Sequence, residues 1–222
     1  MGVDERNAER TSADSSAVER GAAAVERSAE RGESLRVFCA VELPAEVREA
    51  AAAHVARLRR DFPDARAGWV RPEGLHVTLK FIGEIEPERL QSLTRAASAA
   101  AWKFPPFELS IEGAGTFPPR GAARVLWLGI GDASGQLASL HSRLEKACLA
   151  AGFPFEAKRF NPHLTLARLR QPKGAHELSE AHRRSTFGPH NFNVTELVVM
   201  RSELGPGGSR YTPLSRHAFK SD

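Results

Sequence analysis

The sequence predicts a mixed fold of helices and strands, built as two similar lobes. Two observations support this prediction: an order of strand, helix and strand that occurs twice, and a His-x-Thr-Leu motif that ends both copies. His76 lies 39 residues after Val37, and His163 lies 38 residues after Val125. Because internal repeats build matching structural units, we expect two lobes related by a pseudo-twofold axis.

The first 33 residues differ in character from the rest of the chain. They contain no aromatic residue, no Leu and no Ile, and they carry 5 basic and 8 acidic residues. So little apolar surface cannot offset the entropy that is lost on ordering. We therefore expect residues 1–33 to form a disordered extension and residues 34–222 to form the two-lobed domain. That domain carries 26 basic and 19 acidic residues, which is compatible with an anionic partner.

The first copy reads in order as a strand at residues 36–43, a helix that Pro44 begins, a strand at 76–83, a second helix and a strand at 107–117. A glycine bulge is expected in the last of these strands. Apolar residues three or four apart indicate the helices. These residues are Val47, Ala51, Val55 and Leu58 in the first helix, and Leu90, Leu93, Ala97 and Ala100 in the second.

The second copy has a strand at 123–130, a helix that ends at Gly152 and a strand at 163–169. A polar helix at 175–184 and a strand at 192–204 follow, and the segment SRYTPLSRHAF closes the chain. The order of elements therefore repeats that of the first copy.

The two motifs place histidine and threonine side chains together. Alternate side chains of a strand share a face. One face of the first motif strand then holds His76, Thr78 and Lys80, and the core face holds Val77, Leu79 and Phe81. In the second copy His163 and Thr165 share a face, with Leu164 and Leu166 towards the core. Two lobes related by a pseudo-twofold axis can bring the two pairs face to face across a cleft.

Opposed histidines suit the chemistry of phosphodiesters. An imidazole has a pKa near 6.5, so one ring can act as a base while the other holds a proton. One can activate water while the other protonates the departing oxygen, and the threonine hydroxyls can hold the phosphate oxygens. This scheme needs no metal and no cofactor. A zinc site is the rival interpretation, but zinc needs three or four protein ligands and no third one recurs in the repeat.

Composition excludes several other classes. No apolar run approaches the roughly 20 residues of a membrane span, and the N-terminus lacks the apolar region of a secretory signal. Cys39 and Cys148, the two cysteines of the chain, show no metal-binding spacing. This cysteine usage excludes a disulfide scaffold and favours a cytoplasmic protein without a membrane partner.

The chain resembles the two-histidine (2H) phosphoesterases and, within them, the bacterial and archaeal RNA 2′,3′-cyclic phosphodiesterases, also called LigT-like 2′-5′ RNA ligases. The resemblance spans residues 35–219 and rests on RVFCAVELP, LHVTLKFIGE, RVLWLGI, RFNPHLTLAR and SRYTPLSRHAF, in the family's order and spacing. It implies an α+β fold of two pseudo-symmetric lobes, each an antiparallel sheet with helices packed outside, around a central cleft. It also implies metal-independent hydrolysis of RNA 2′,3′-cyclic phosphate ends to 2′-phosphates, with 2′-5′ ligation as the reverse reaction.

The resemblance also implies roles for single residues. His76 is expected to be the proton donor to O3′, and His163 the proton acceptor that activates water. Thr78 and Thr165 are expected to contact the phosphate. Arg168 matches a phosphate-contacting arginine five residues after the second histidine. Strict alternation would place Arg168 on the core face, so it reaches the phosphate only if the strand bulges or ends before it.

Two other functions remain open at this point. The same chemistry could act on a small cyclic nucleotide or on an ADP-ribose cyclic phosphate. Alternatively, the chain could be an RNA-binding module without catalysis, although two intact His-x-Thr pairs argue against this. We expect a monomer that acts on RNA ends or on cyclic nucleotides.

Overall fold

The computed structural model describes residues 3–169, 174–205 and 208–220 of the chain, with side chains from residue 16 onward. The helices are α1 (Val3–Glu30), α2 (Ala45–Asp61), α3 (Leu90–Ala101), α4 (Gln136–Ala150) and α5 (Ala175–Arg184). The strands are β1 (Leu35–Glu42), β2 (Ala67–Trp69), β3 (His76–Ile85), β4 (Phe107–Phe117), β5 (Val125–Gly131), β6 (His163–Leu169), β7 (His190–Val194), β8 (Glu196–Gly205) and β9 (Gly208–Ala218).

One antiparallel sheet runs through both lobes, in the order β7-β4-β5-β6-β3-β1-β8-β9, with the short β2 paired to β6. One lobe holds the strands from β7 to β6, and the other holds the strands from β3 to β9. The lobes meet where β3 and β6 pair through Val77 and Leu164. The predicted α+β fold of two related lobes with antiparallel strands is therefore confirmed.

The last strand of each copy crosses to the opposite lobe. β4 belongs to the first copy but pairs with β5 of the second, and β8 belongs to the second copy but pairs with β1 of the first. The single strand predicted at 192–204 is instead two strands, β7 and β8, separated at Thr195. This break lets the chain leave the lobe of β4 and enter the lobe of β1.

The helices cover the outer face of the sheet with their apolar sides. α3 packs against α4 and against the β8–β9 hairpin, and α5 packs against β4. Pro44 precedes α2 as predicted, and Gly152 follows α4 with a φ of 78°, a conformation that glycine adopts without strain. None of the described helices is long and apolar enough to span a membrane.

The N-terminal segment differs from the disordered extension that we expected for residues 1–33. Val3–Glu30 forms helix α1, which packs against β9. The Arg201 guanidinium donates hydrogen bonds to the Ala24 carbonyl at 2.9 Å and to the Ser28 hydroxyl at 3.0 Å, and Ser28 is fully buried. Gly21 and Ser28 are buried in this contact and Val25 packs against the core, so the contact needs a single large apolar side chain and apolar composition did not reveal it.

Candidate active site

The two motif strands lie side by side at the centre of the sheet. Val77 of β3 pairs with Leu164 of β6, so antiparallel geometry brings Thr78 next to His163 and Thr165 next to His76. Val77 and Leu164 are fully buried on the core side. The two histidines and two threonines therefore surround the pseudo-twofold axis on the opposite side of the sheet, as the sequence predicted.

Each motif strand carries a β-bulge at the same position, three residues after its histidine. On β1, Ala40 pairs with Thr78 and Cys39 with Lys80, which leaves Leu79 as the extra residue. On β5, Trp127 pairs with Thr165 and Leu126 with Ala167, which leaves Leu166 as the extra residue. A bulge interrupts the alternation of side chains, so residues beyond it exchange faces.

The first bulge makes two predicted orientations wrong. Lys80 was expected on the cleft face, but it is 1% exposed and its Nζ donates to Glu145 Oε1 at 2.7 Å and to the Pro154 carbonyl at 2.9 Å. Phe81 was expected in the core, but it is 58% exposed and lies 6.0 Å from the ring of Phe38. Strict alternation fails because Leu79 and Lys80 both enter the core.

The second bulge has the same effect on Arg168. Leu166 and Ala167 are both fully buried, and Arg168 is exposed. The strand therefore bulges before Arg168, which is the condition that its expected contact with the phosphate required. Arg168 and Phe81 occupy equivalent positions of the two motifs, so one side of the site presents a guanidinium and the other an aromatic ring.

Matching backbone contacts hold both imidazoles. Nδ1 of His76 lies 2.8 Å from the carbonyl oxygen of Gly74, and Nδ1 of His163 lies 2.8 Å from that of Asn161. A carbonyl oxygen only accepts, so Nδ1 of each ring must carry the hydrogen. In each neutral ring Nε2 then keeps its lone pair and is the nitrogen left to exchange a proton. No motif indicates these contacts in advance, apart from the equal spacing of their partners, two residues before each histidine.

The surroundings of the two histidines differ. The ring of His76 lies 4.7 Å from that of Phe38 and 4.8 Å from that of Tyr211, whereas the ring of His163 lies 4.9 Å from that of Phe117. The pKa of His76 is lowered to about 4, chiefly by burial; the bond to the Gly74 carbonyl acts in the opposite direction, and nearby His163 adds a smaller lowering. Without substrate, His76 is therefore neutral at pH 7.

The described residues include no group of three or more His, Cys, Asp or Glu side chains that could hold a metal ion. Cys39 and Cys148 are both buried, and burial raises the pKa of the Cys148 thiol to about 11. Neither thiol is therefore a nucleophile at neutral pH. The polar side chains that the two motifs bring to the pseudo-twofold axis are the imidazoles of His76 and His163 and the hydroxyls of Thr78 and Thr165.

The sequence and the fold of this chain are similar to those of known proteins. A family model described as the 2′-5′ RNA ligase superfamily matches residues 47–206. An RNA 2′,3′-cyclic phosphodiesterase of Methanothermobacter thermautotrophicus is 33% identical over 183 residues, which cover 81% of this chain and 96% of the relative. A protein of the same name from Escherichia coli is 33% identical over 192 residues, which cover 84% and 98%.

Solved structures agree with these relatives. TT0787 of Thermus thermophilus matches with a TM-score of 0.70 and 31% identity, over 85% of this chain and 100% of that one. E. coli LigT in complex with 3′-AMP matches with a TM-score of 0.67 and 32% identity, over the same shares. About a sixth of this chain thus lies outside the matched region, although the whole of each neighbour is covered.

Proposed function

Because the chain belongs to the 2′-5′ RNA ligase superfamily, we propose that it hydrolyses 2′,3′-cyclic phosphate ends of RNA to 2′-phosphomonoesters. The observation that carries the proposal is the pairing of Val77 with Leu164, which sets two His-Thr pairs around one axis. Each histidine has its Nδ1 fixed on a carbonyl, so both rings can act through Nε2. A metal-independent acid–base reaction needs this combination of groups.

In the proposed reaction Thr78, Thr165 and Arg168 hold the non-bridging oxygens of the cyclic phosphate. Nε2 of His163 takes a proton from water while the water oxygen forms a bond to phosphorus. The bond from phosphorus to O3′ breaks, and O3′ takes the proton carried by Nε2 of His76. The products are a 2′-phosphate and a free 3′-hydroxyl. A 5′-hydroxyl of a second RNA in place of water would give a 2′-5′ linkage by the same steps.

The low pKa of His76 sets a condition on this assignment. A ring with a pKa of about 4 holds little of its proton at pH 7. A bound phosphate is an anion next to the ring, and an opposite charge favours the protonated form. Binding of the anionic phosphate therefore raises the pKa of His76 and favours uptake from solvent of the proton that O3′ needs.

The leaving group offers a test of the two roles. A p-nitrophenyl phosphodiester releases a stable phenolate, which needs no proton from an acid. His76→Ala should retain near-parent turnover of this diester but lose roughly 10²–10⁴-fold on a cyclic phosphate. His163→Ala should lose activity on both substrates. If His163→Ala is instead the variant that keeps turnover of the p-nitrophenyl diester, the roles of the two histidines are reversed.

A further inference from the structure

A cavity of about 810 Å³ opens beside the histidine pair, on the side of His76. Its walls come from the C-terminal end of α2, from β2 and from the β8–β9 hairpin. Tyr211 lines the cavity and also contacts His76, at 4.8 Å between the ring centroids. Arg168 lines it too and belongs to the same strand as His163 and Thr165. Tyr211 therefore connects the cavity with His76, and Arg168 connects it with the strand of His163 and Thr165.

The lining of the cavity is basic and aromatic. Four arginines contribute to it, namely Arg59, Arg66, Arg71 and Arg168, and no acidic residue is among the described lining residues. A guanidinium matches the geometry of a phosphate and can bind it through two hydrogen bonds. Half-buried Trp69 also lines the cavity and offers a surface on which a base can stack. The volume lies within the roughly 300–1,000 Å³ of ligand-binding pockets.

The geometry of the reaction decides what this side of the site receives. In a displacement at phosphorus the attacking and leaving oxygens lie roughly in line on opposite sides. The leaving O3′ belongs to the ribose of the RNA, and it departs towards His76. The RNA must therefore extend on the side of His76, where the cavity lies, and water must enter from the side of His163.

On the basis of the proposed function, we propose that this cavity binds the nucleotides immediately 5′ of the cyclic phosphate. Arg59 and Arg66 hold their phosphates, and Trp69 stacks on a base. The substrate is then an oligonucleotide end rather than a free cyclic mononucleotide. This distinguishes between the two substrate classes that the catalytic groups alone leave open.

The first experiment compares kcat/KM for the trinucleotide ApApA with a 2′,3′-cyclic phosphate end and for 2′,3′-cyclic AMP. The ratio should favour the trinucleotide. For each phosphate that the cavity neutralises, this ratio should fall about threefold between 50 and 200 mM salt. The reason is that the logarithm of the binding constant of a single strand falls with the logarithm of the salt concentration, with a slope of about −0.7 per neutralised phosphate. The double variant Arg59→Gln/Arg66→Gln should lower the ratio and flatten its salt dependence.

A matched control removes the same charge elsewhere. Arg36 and Arg95 are exposed and do not line the cavity, so Arg36→Gln/Arg95→Gln should leave the ratio and its salt dependence as in the parent. Calorimetric Kd values for ApApA with a 2′-phosphate end and for 2′-AMP give a readout that does not depend on turnover. The cavity inference is supported if the trinucleotide binds more weakly to the Arg59/Arg66 variant but not to the Arg36/Arg95 variant.

The outcomes separate the two proposals. If 2′,3′-cyclic AMP is hydrolysed but the trinucleotide gains nothing in kcat/KM or Kd, the proposed function stands and the cavity inference is overturned. If neither compound is hydrolysed but trinucleotide binding depends on Arg59 and Arg66, the cavity inference stands and the proposed function fails. Equal losses in the two double variants would show a general effect of charge and would overturn the cavity inference.

Discussion

The buried ion pair between Lys80 and Glu145 gives a sharp prediction about stability. Lys80 Nζ and Glu145 Oε1 lie 2.7 Å apart, and their side chains are 1% and 3% exposed. The pair joins β3, the strand of His76 and Thr78, to α4. The Pro154 carbonyl and the Glu156 amide complete the hydrogen bonds of the two charged groups. Lys80→Met would leave the Glu145 carboxylate buried without its cation.

Removing one member of a buried pair costs about 3–5 kcal/mol, because the remaining charge keeps its desolvation penalty. For a chain of this length, 1 kcal/mol lowers Tm by about 2–4 °C, so Lys80→Met should lower Tm by about 6–20 °C. Lys80→Met/Glu145→Leu removes both charges, so its loss in the free energy of unfolding should be smaller than the sum of the losses in the two single variants. A residual loss of about 1–3 kcal/mol is expected, since the Pro154 carbonyl then lacks its donor.

Urea unfolding of the parent, the two single variants and the double variant measures this coupling. Arg60→Met is the control, because Arg60 pairs with Asp61 on the surface, where the side chains are 73% and 45% exposed. Exposed pairs contribute about 0–1 kcal/mol. If Lys80→Met costs no more than Arg60→Met, or if the losses of Lys80→Met and Glu145→Leu simply add, the buried pair does not stabilise the fold as argued.

Three further predictions follow from the structure. Deleting residues 1–33 should lower the free energy of unfolding by at least about 1.5 kcal/mol, because buried Arg201 loses the Ala24 carbonyl and the Ser28 hydroxyl as hydrogen-bond acceptors. An unchanged Tm in a thermal melt would show that α1 does not dock. Burial lowers the pKa values of His54 and His76 to about 4 and also lowers that of His182, so the unfolded chain binds protons first as pH falls below 6.5. The free energy of unfolding should therefore fall between pH 7 and pH 5, by about 2 kcal/mol for each of His54 and His76, and pH-independent urea midpoints would contradict this. Hydrolysis of a cyclic phosphate should persist in EDTA, and its loss with recovery on adding one divalent ion would refute the acid–base scheme.

Most elements could be predicted from the sequence, because proline and glycine residues mark the ends of clear apolar patterns. The bounds of β4, β6 and α5 agree with the predicted ranges, and the repeat correctly brought the two His-Thr pairs together. The break between β7 and β8 could not be predicted, because 192–204 is a continuous β-prone run. Its division at Thr195 depends on which strands lie alongside it in the fold.

The bulges at Leu79 and Leu166 show why side-chain direction was harder to predict than secondary structure. A bulge is set by the register with the neighbouring strand, so it leaves no mark on the strand's own pattern. The docking of α1 could not be predicted for a different reason. Its docking depends on close backbone approach, since a Cβ at Gly21 would collide with the Pro213 carbonyl, and on Arg201 far along the chain.

The central claim is that His76 and His163 together hydrolyse a 2′,3′-cyclic phosphate end. The most direct measurement is the cleavage rate of ApApA with that end by the parent, His76→Ala, His163→Ala and the double variant, with the product end identified. We predict a 2′-phosphate product, losses of roughly 10²–10⁴-fold in each single variant and a double loss well below the product of the two. Folded variants that cleave at near-parent rates would contradict the assignment of the histidines, and a 3′-phosphate product would contradict the assignment of O3′ as the leaving group.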